Sequence, residues 1–222
     1  MAFLQENFAA LISKTSEHFL ISMAALLLGV IVAVPMGVVI TKKDKIANAV
    51  IAVASVLQTI PSLALLSIMV PIVGIGKKPA IIALFIYSLL PILRNTAIGM
   101  KSIDESLLDA AKGMGMTTNE VIFKVQLPLC APVIMSGIRL SAIYVISWTA
   151  IASYIGAGGL GDFIFSGLNT FDTGLILLGT VPVTVLALVT DLLLGKLERA
   201  VKPKMTSENS KTKSMSKEEV AL

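Results

Sequence analysis

Asp109-Ala-Ala-Lys-Gly-Met-Gly-Met-Thr-Thr-Asn-Glu-Val-Ile-Phe-Lys-Val-Gln-Leu-Pro128 is a polar run set between two apolar stretches of membrane length. Ser102 or Asp104 can cap a helix running through Leu107, Leu108 and Ala111, and the small Ala110 and Ala111 allow close packing. Gly115 permits a tight reversal with positive φ. Thr117 or Thr118 can cap a second short helix, Asn119 to Val125, which Pro128 is expected to separate from the following span. The run therefore reads as two short helices around a glycine turn, inside a polar segment 101–128.

The flanks of this run require a bilayer. A 222-residue chain that is 55% hydrophobic and 14% charged, with mean hydropathy +0.88, has too little charge to cover a soluble globule. Segments of about 20 apolar residues match a hydrocarbon core of about 30 Å. Five are expected: Phe19 to Ile40, Ile46 to Val73, Pro79 to Gly99, Leu129 to Ile155, and Phe171 to Gly195. Pro61 and Pro71 each remove a backbone donor from the second, so a kink is expected near residues 58–62. Fold class follows: an all-α integral membrane protein with about five spans. Upstream, Phe3, Leu4, Phe8, Leu11 and Ile12 recur at near-helical spacing, which suits an amphipathic helix over residues 1–18 on the outer membrane surface. Residues 201–222, rich in Lys, Ser, Thr and Glu, read as a disordered cytoplasmic tail.

Lys and Arg set the orientation. One face receives fourteen, among them Lys42, Lys43, Lys45, Lys101, Lys112, Lys124, Lys196 and Arg199; the other receives only Lys14, Lys77 and Lys78, with Arg139 inside a span. The amino terminus is therefore expected outside, with the polar run and carboxyl terminus in the cytoplasm. Net charge +4 reports this topology and not nucleic-acid binding.

Other chemistries are set aside. Gly156-Ala-Gly-Gly-Leu-Gly161 matches a dinucleotide fingerprint in letters, but it follows a membrane-length segment and not a strand. No Gly-x-x-x-x-Gly-Lys-Ser/Thr loop is present, so ATP hydrolysis must come from a partner, and the chain is not expected to be an enzyme. The single His18 and single Cys130 build no zinc site and no disulfide; His18 reads as an interfacial polar residue and Cys130 as a small buried apolar one. No cofactor is expected. Asp109 and Glu120 belong to the loop and Asp162 and Asp172 to an outer loop, so a proton-relay carrier is disfavoured.

The polar run resembles the EAA loop of permease subunits in ATP-driven (ABC) importers, whose pattern is Glu-Ala-Ala, three residues, Gly, nine residues, Ile, one residue, Leu-Pro. Spacing agrees at every step through Ala110, Ala111, Gly115, Val125, Leu127 and Pro128, with Asp109 standing for Glu and Val125 for Ile. Further segments, including Gln58-Thr-Ile-Pro-Ser-Leu-Ala64, Leu93-Arg-Asn-Thr96, Pro132 to Arg139 and Tyr154 to Phe165, resemble permeases of osmoprotectant importers for glycine betaine, carnitine and choline. Methionine importer permeases share the five-span plan and a Gly-Gly-Leu-Gly segment, which leaves an amino-acid cargo as the alternative and a secondary carrier as a remote one. The resemblance implies a type I importer fold over residues 19–200 in a bacterial inner or plasma membrane. Its partners would be a second permease, identical or related, two ATPase subunits and a separate external binding protein, because the chain ends too soon for a fused one.

What the resemblance implies for residues is specific. Asp109, Ala110, Ala111, Gly113, Gly115, Met116, Thr117, Glu120, Leu127 and Pro128 would seat in an ATPase groove. Gly156, Gly158, Gly159, Gly161 and Asp162 would meet the binding protein. A quaternary ammonium has no hydrogen-bond donor, so aromatic faces select it; candidates along the path are Tyr87, Tyr144, Trp148 and Tyr154, with Gln58 and Pro61 at the kink. Tyr144 and Trp148 lie four apart, on one helical face.

The charge asymmetry is directly testable. In a Cys130→Ser background, a cysteine at Thr118 is expected to resist a membrane-impermeant thiol reagent in intact cells, and one at Ser166 to react. Labelling of position 118 from outside would overturn the orientation.

Overall fold

The computed structural model describes residues 2–202, with side chains from Asn7 onward. The proposed tail beyond Lys202, and the side chains of Phe3 and Leu4, lie outside the described residues. Every regular element among them is helical: α1 (Ala2–Ile40), α2 (Asp44–Thr59), α3 (Ser62–Val73), α4 (Lys77–Lys101), α5 (Glu105–Gly113), α6 (Thr118–Glu120), a π-helical stretch Val121–Gln126, α7 (Leu127–Ala152), a short 3-10 turn Ser153–Ile155, α8 (Gly161–Thr170) and α9 (Thr173–Ala200). Four helices are long and apolar enough to cross a membrane, and the pair α2 and α3, bent by 93°, makes a fifth span if counted together.

The core is a three-helix contact of α1, α4 and α7, with α2 and α3 against α4, and α9 against α7. Small residues make it close. Ala25, Gly29, Ala33 and Gly37 recur every fourth residue along one face of α1. A Cβ on Gly29 would lie 2.0 Å from Ser88 Oγ, and one on Gly37 2.7 Å from Thr96 Cβ. Gly137 does the same for α7, where a Cβ would fall 2.9 Å from the Pro91 carbonyl oxygen. That carbonyl, deprived of no partner, accepts from Asn95 Nδ2 at 2.9 Å. At the end of α4 that leads into the loop 101–128, Lys101 pairs with Asp44 at 2.5 Å, tying α4 to the start of α2.

Several expectations change. Residues 2–18 are not a separate helix: α1 runs unbroken from Ala2 through Phe19 to Ile40. It can do so because Lys14, Glu17 and His18 turn inward to polar partners. The bend near residues 58–62 is present, with Thr59 ending α2 and Pro61 preceding α3. Pro128 does not separate the loop from its span, and helix continues from Thr118 to Ile155. A proline in a helix lacks a donor and crowds the carbonyl four residues back. Here the preceding turn widens to π geometry, with Leu127 N–H bonded to the Ile122 carbonyl, and the helix passes through. The second short helix, expected over 119–125, is accordingly Thr118–Glu120 followed by that widened turn. The segment between α7 and α9 holds a helix, α8, beyond the loop expected there, and Asp172 caps α9 by accepting from Gly174 N at 2.8 Å.

Because the clash at Gly137 involves backbone, it cannot be relieved by a rotamer change. Gly137→Ala is expected to lower the stability of the solubilised protein by about 1–3 kcal/mol, whereas Gly113→Ala, facing open space, is expected to be near neutral. Thermal unfolding of the two variants in one detergent measures the difference.

Candidate functional site

The loop 101–128 is rigid by local chemistry. Ser102 follows the end of α4 and returns its hydroxyl to the Gly99 carbonyl, so the cap of α5 falls to Asp104, which accepts from Ser106 N at 2.9 Å. After α5, Gly115 takes φ +82°, and Met116 N bonds back to the Ala111 carbonyl. Thr117 and Glu120 then form a reciprocal capping box: Glu120 N donates to Thr117 Oγ1, and Thr117 N donates to Glu120 Oε2 at 3.0 Å. Lys124 Nζ reaches Glu120 Oε1 at 2.9 Å. Lys124 first, then these Thr117 donors, push the Glu120 pKa from 4.5 down to about 2. A depressed carboxylate pKa contributes stability above the ordinary value, lost as pH falls from about 4.5 toward about 2. At neutral pH the box is intact.

The same loop divides its apolar residues. Ala111 is buried, while Leu107, Met114 and Phe123 stay exposed, Met114 at 76%. Asp109, Ala110, Gly113 and Gly115 are exposed with them, Met116 is half-buried, and Leu127 and Pro128 lie where the loop joins α7. An exposed apolar set on an ordered, charged loop is the usual mark of an interaction surface.

At the opposite end the glycine loop is braced from within the chain. Glu17 accepts from Gly159 N at 2.9 Å and pairs with Lys77 at 2.7 Å; Lys14 pairs with both Glu17 and Asp162. Gly158 has φ +83° and Gly159 φ +86°, and a Cβ on Gly158 would lie 2.4 Å from Glu17 Oε2. Gly161 sits so close to α7 that a Cβ would fall 2.0 Å from the Ala150 carbonyl oxygen. Gly159 and Gly161 are buried, which gives them an internal reason to be glycine, while Gly156 remains exposed. His18 corrects its expected interfacial placement: it is fully buried, and Nε2 donates to the Ile146 carbonyl at 2.9 Å. Nδ1 is then an acceptor with no partner among the described residues, against Gly159. Ser22, hydrogen-bonded to the His18 carbonyl and to Thr149 at 2.9 Å, extends this polar seam between α1 and α7.

Three of the four aromatic candidates come together at membrane depth. Tyr87 and Trp148 have ring centroids 4.5 Å apart, and Tyr144 stacks on Trp148 at 5.4 Å with 28° between planes. Tyr87 is buried, and its hydroxyl donates to the Ile60 carbonyl at 2.6 Å, which places the α2–α3 break beside the rings. Gln58 is half-buried and Pro61 exposed at that break. Tyr154 is elsewhere, against Phe165 of α8 at 5.5 Å, beside the glycine loop.

The reading of the spans as free of useful acids missed Asp191, on α9 inside the fifth span. Arg139 holds it bidentately, Nε to Oδ1 at 2.5 Å and Nη2 to Oδ2 at 2.7 Å, and also reaches Glu198 at 3.3 Å. The signal was available: an arginine in one apolar segment asks for an acid in another. Being paired, Asp191 is not a free proton carrier.

A chain that gives its apolar faces to lipid and its ordered polar loop to one aqueous side has the build of a membrane transport subunit. Comparison with known proteins agrees. The chain belongs to the family of binding-protein-dependent transport system inner membrane components, whose family model matches residues 25–203. It is 55% identical over 208 residues to the carnitine transport permease protein OpuCB of Listeria monocytogenes, covering 94% of this chain and 95% of that one. It is 53% identical to the glycine betaine/carnitine/choline transport system permease protein OpuCB of Bacillus subtilis, covering 92% and 94%, and 53% identical to the choline transport system permease protein OpuBB of the same organism, covering 90% and 93%. Among solved structures, the inward-facing MetNI methionine ABC transporter superposes with TM-score 0.81 at 22% identity, covering 89% of this chain and 99% of that one, a likeness of fold. The protein is thus a multi-pass ABC permease, and such permeases work with an ATPase and a substrate-binding protein.

Removing one member of a half-buried ion pair between two spans strands the other at membrane depth, whereas removing both leaves no unpaired charge. Asp191→Asn is expected to lower the yield and melting temperature of the assembled transporter more than the double variant Arg139→Met/Asp191→Leu. Equal loss in both would show that the pair is not what holds α7 to α9.

Proposed function

We propose that this chain is the permease subunit of an ATP-driven importer for quaternary ammonium osmoprotectants of the glycine betaine, carnitine and choline class. The observation that carries the reading is identity of 53–55% over nine-tenths or more of both chains with permeases named for those cargoes. The methionine alternative has only the shared fold behind it. In this reading two permeases, identical or related, line the path, the amino terminus lies outside, and loop 101–128 meets an ATPase in the cytoplasm. Leu107, Met114 and Phe123 supply apolar contact to a groove on that ATPase, and Gly115 makes the reversal that presents them. ATP-driven closure of the ATPases moves the loops and opens the path outward to a loaded binding protein docked near Gly156 and Asp162; hydrolysis by the partner resets it.

Two experiments test this. A strain relying on this system is expected to accumulate one of the three cargoes at high osmolarity, with uptake persisting when the proton gradient is collapsed and ATP maintained. Uptake that follows the proton gradient instead would point to a secondary carrier. For the loop, a Cβ on Gly115 meets nothing within 4 Å, so inside this chain the variant Gly115→Asp costs only its positive φ, about 1 kcal/mol. The five spans should remain inserted, yet ATPase co-purification and uptake should fall severely, because the new carboxylate enters the partner's groove. Gly113→Asp, at a helical end with open space, should be milder. Full ATPase recruitment and full uptake by Gly115→Asp would remove the coupling role.

A further inference from the structure

Exposed side chains of the spans are mostly those that lipid accepts: Leu27, Ile31 and Val39 on α1, and Val181, Leu188 and Leu192 on α9. The exposed face of α7 differs. Ser136, Leu140, Tyr144 and Ser147 are its exposed positions through the membrane, and their spacings of four, four and three place them on one stripe. Hydroxyl-bearing residues make up three of those four positions, a composition suited to a wet or polar path and not to hydrocarbon. Beside this stripe, through Tyr87 and Trp148, lies the broken turn between α2 and α3. Non-helical backbone at membrane depth is tolerated where it is buried in protein or lines a water-filled cavity.

We propose that the exposed side of the Tyr144–Trp148 stack, with the broken turn at residues 58–61, is a transit site inside the membrane for the cationic head of a quaternary ammonium cargo, separate from the site on the external binding protein. The proposal rests on the cargo class inferred above. A quaternary nitrogen carries no N–H, so hydrogen-bond acceptors cannot grip it directionally; it is held by the negative faces of aromatic rings, tryptophan best, and by carbonyl oxygens. Tyr144 is 38% exposed and Tyr87 2%, so Tyr144 and Trp148 meet the cargo while Tyr87 braces Trp148 from behind. The membrane-depth acid Asp191 is committed to Arg139, which leaves the attraction to rings and carbonyls.

The test uses the complete importer in proteoliposomes, with partner permease, ATPase and binding protein, and radiolabelled choline, carnitine or glycine betaine as probe. Tyr144→Leu and Trp148→Leu are expected to deliver about tenfold less cargo per ATP hydrolysed, while the loaded binding protein still stimulates ATP hydrolysis as in the wild type. Tyr144→Phe and Trp148→Phe keep an aromatic face and should retain delivery. Unchanged cargo per ATP in both Leu variants overturns the transit site. Loss of ATPase stimulation in step with uptake, in Phe and Leu variants alike, also overturns it, by assigning the pair to folding or coupling. A wild-type complex that imports none of the three cargoes removes the cargo class itself, an outcome distinct from either.

Discussion

In hydrocarbon, one leucine gains nothing by leaving lipid for another leucine, so the force that folds soluble proteins is absent between spans. What remains is close contact. The repeat Ala25, Gly29, Ala33, Gly37 brings the backbone of α1 against Ser88 and Thr96 of α4, and Gly137 brings α7 against Pro91 and Asn95 of the same helix. Every other feature hangs on that three-helix contact. The loop 101–128 joins its α4 and α7, the glycine loop extends from α7 and is held by α1, and the aromatic trio forms where α4 meets α7.

Most polar groups buried in such a core find a partner, His18 Nδ1 and Thr96 Oγ1 being exceptions among the described residues, and they are grouped by depth. At the glycine-loop end the carboxylate of Glu17 satisfies the Gly159 amide while Lys14 and Lys77 balance its charge. Below it, the seam of His18, Ser22 and Thr149 ties α1 to the middle of α7. Arg139, Asp191 and Glu198 tie α7 to α9 on the other side. The second and third devices end on α7, and the first ends on the glycine loop that follows it. Helix runs continuously for 38 residues from Thr118, in the loop, to Ile155, at the edge of the glycine loop. A displacement of the loop therefore has an unbroken helical path to the residues that carry Tyr144 and Trp148, and the widened π turn at Val121–Gln126 is the one irregular segment along it.

Much of this was legible in the sequence because it depends on local chemistry. The helix, glycine reversal and cap of the loop follow from residue types within a few positions of each other, and Gly115 with its positive φ and Thr117 with Glu120 are where local rules place them. The break at Pro61 is local too. Legibility failed where a remote partner decides. Nothing near Glu17 or His18 in the sequence reveals that Gly159 and Ile146 will satisfy them, so the amino-terminal segment read as a surface helix and not as part of α1. Pro128 read as a stop because the widened turn that accommodates it is a collective adjustment of six residues. The tight packing of Gly159 and Gly161 against His18 and Ala150 was not legible either, because that nearness is tertiary. Asp191 and the stripe Ser136, Leu140, Tyr144, Ser147 were visible as pattern, but become informative once α7 has an inside and an outside.

A site inside a transport path faces a constraint that a receptor site does not. Cargo must enter it readily and also leave it, so attraction that is too strong stops flow. A closed aromatic cage around a quaternary nitrogen, or a free carboxylate beside it, would hold the cation too long. The structure offers less than either: a stack of exposed Tyr144 on half-buried Trp148, a third ring withdrawn behind it to Ile60, and a membrane-depth carboxylate paired with Arg139. In the site proposed above, such a face attracts a cation without hydrogen-bond donors through its rings alone, which is weaker than a closed cage and compatible with release. Arg139, shared between Asp191 and Glu198, holds α7 to α9, and it leaves Asp191 committed and not free beside the rings.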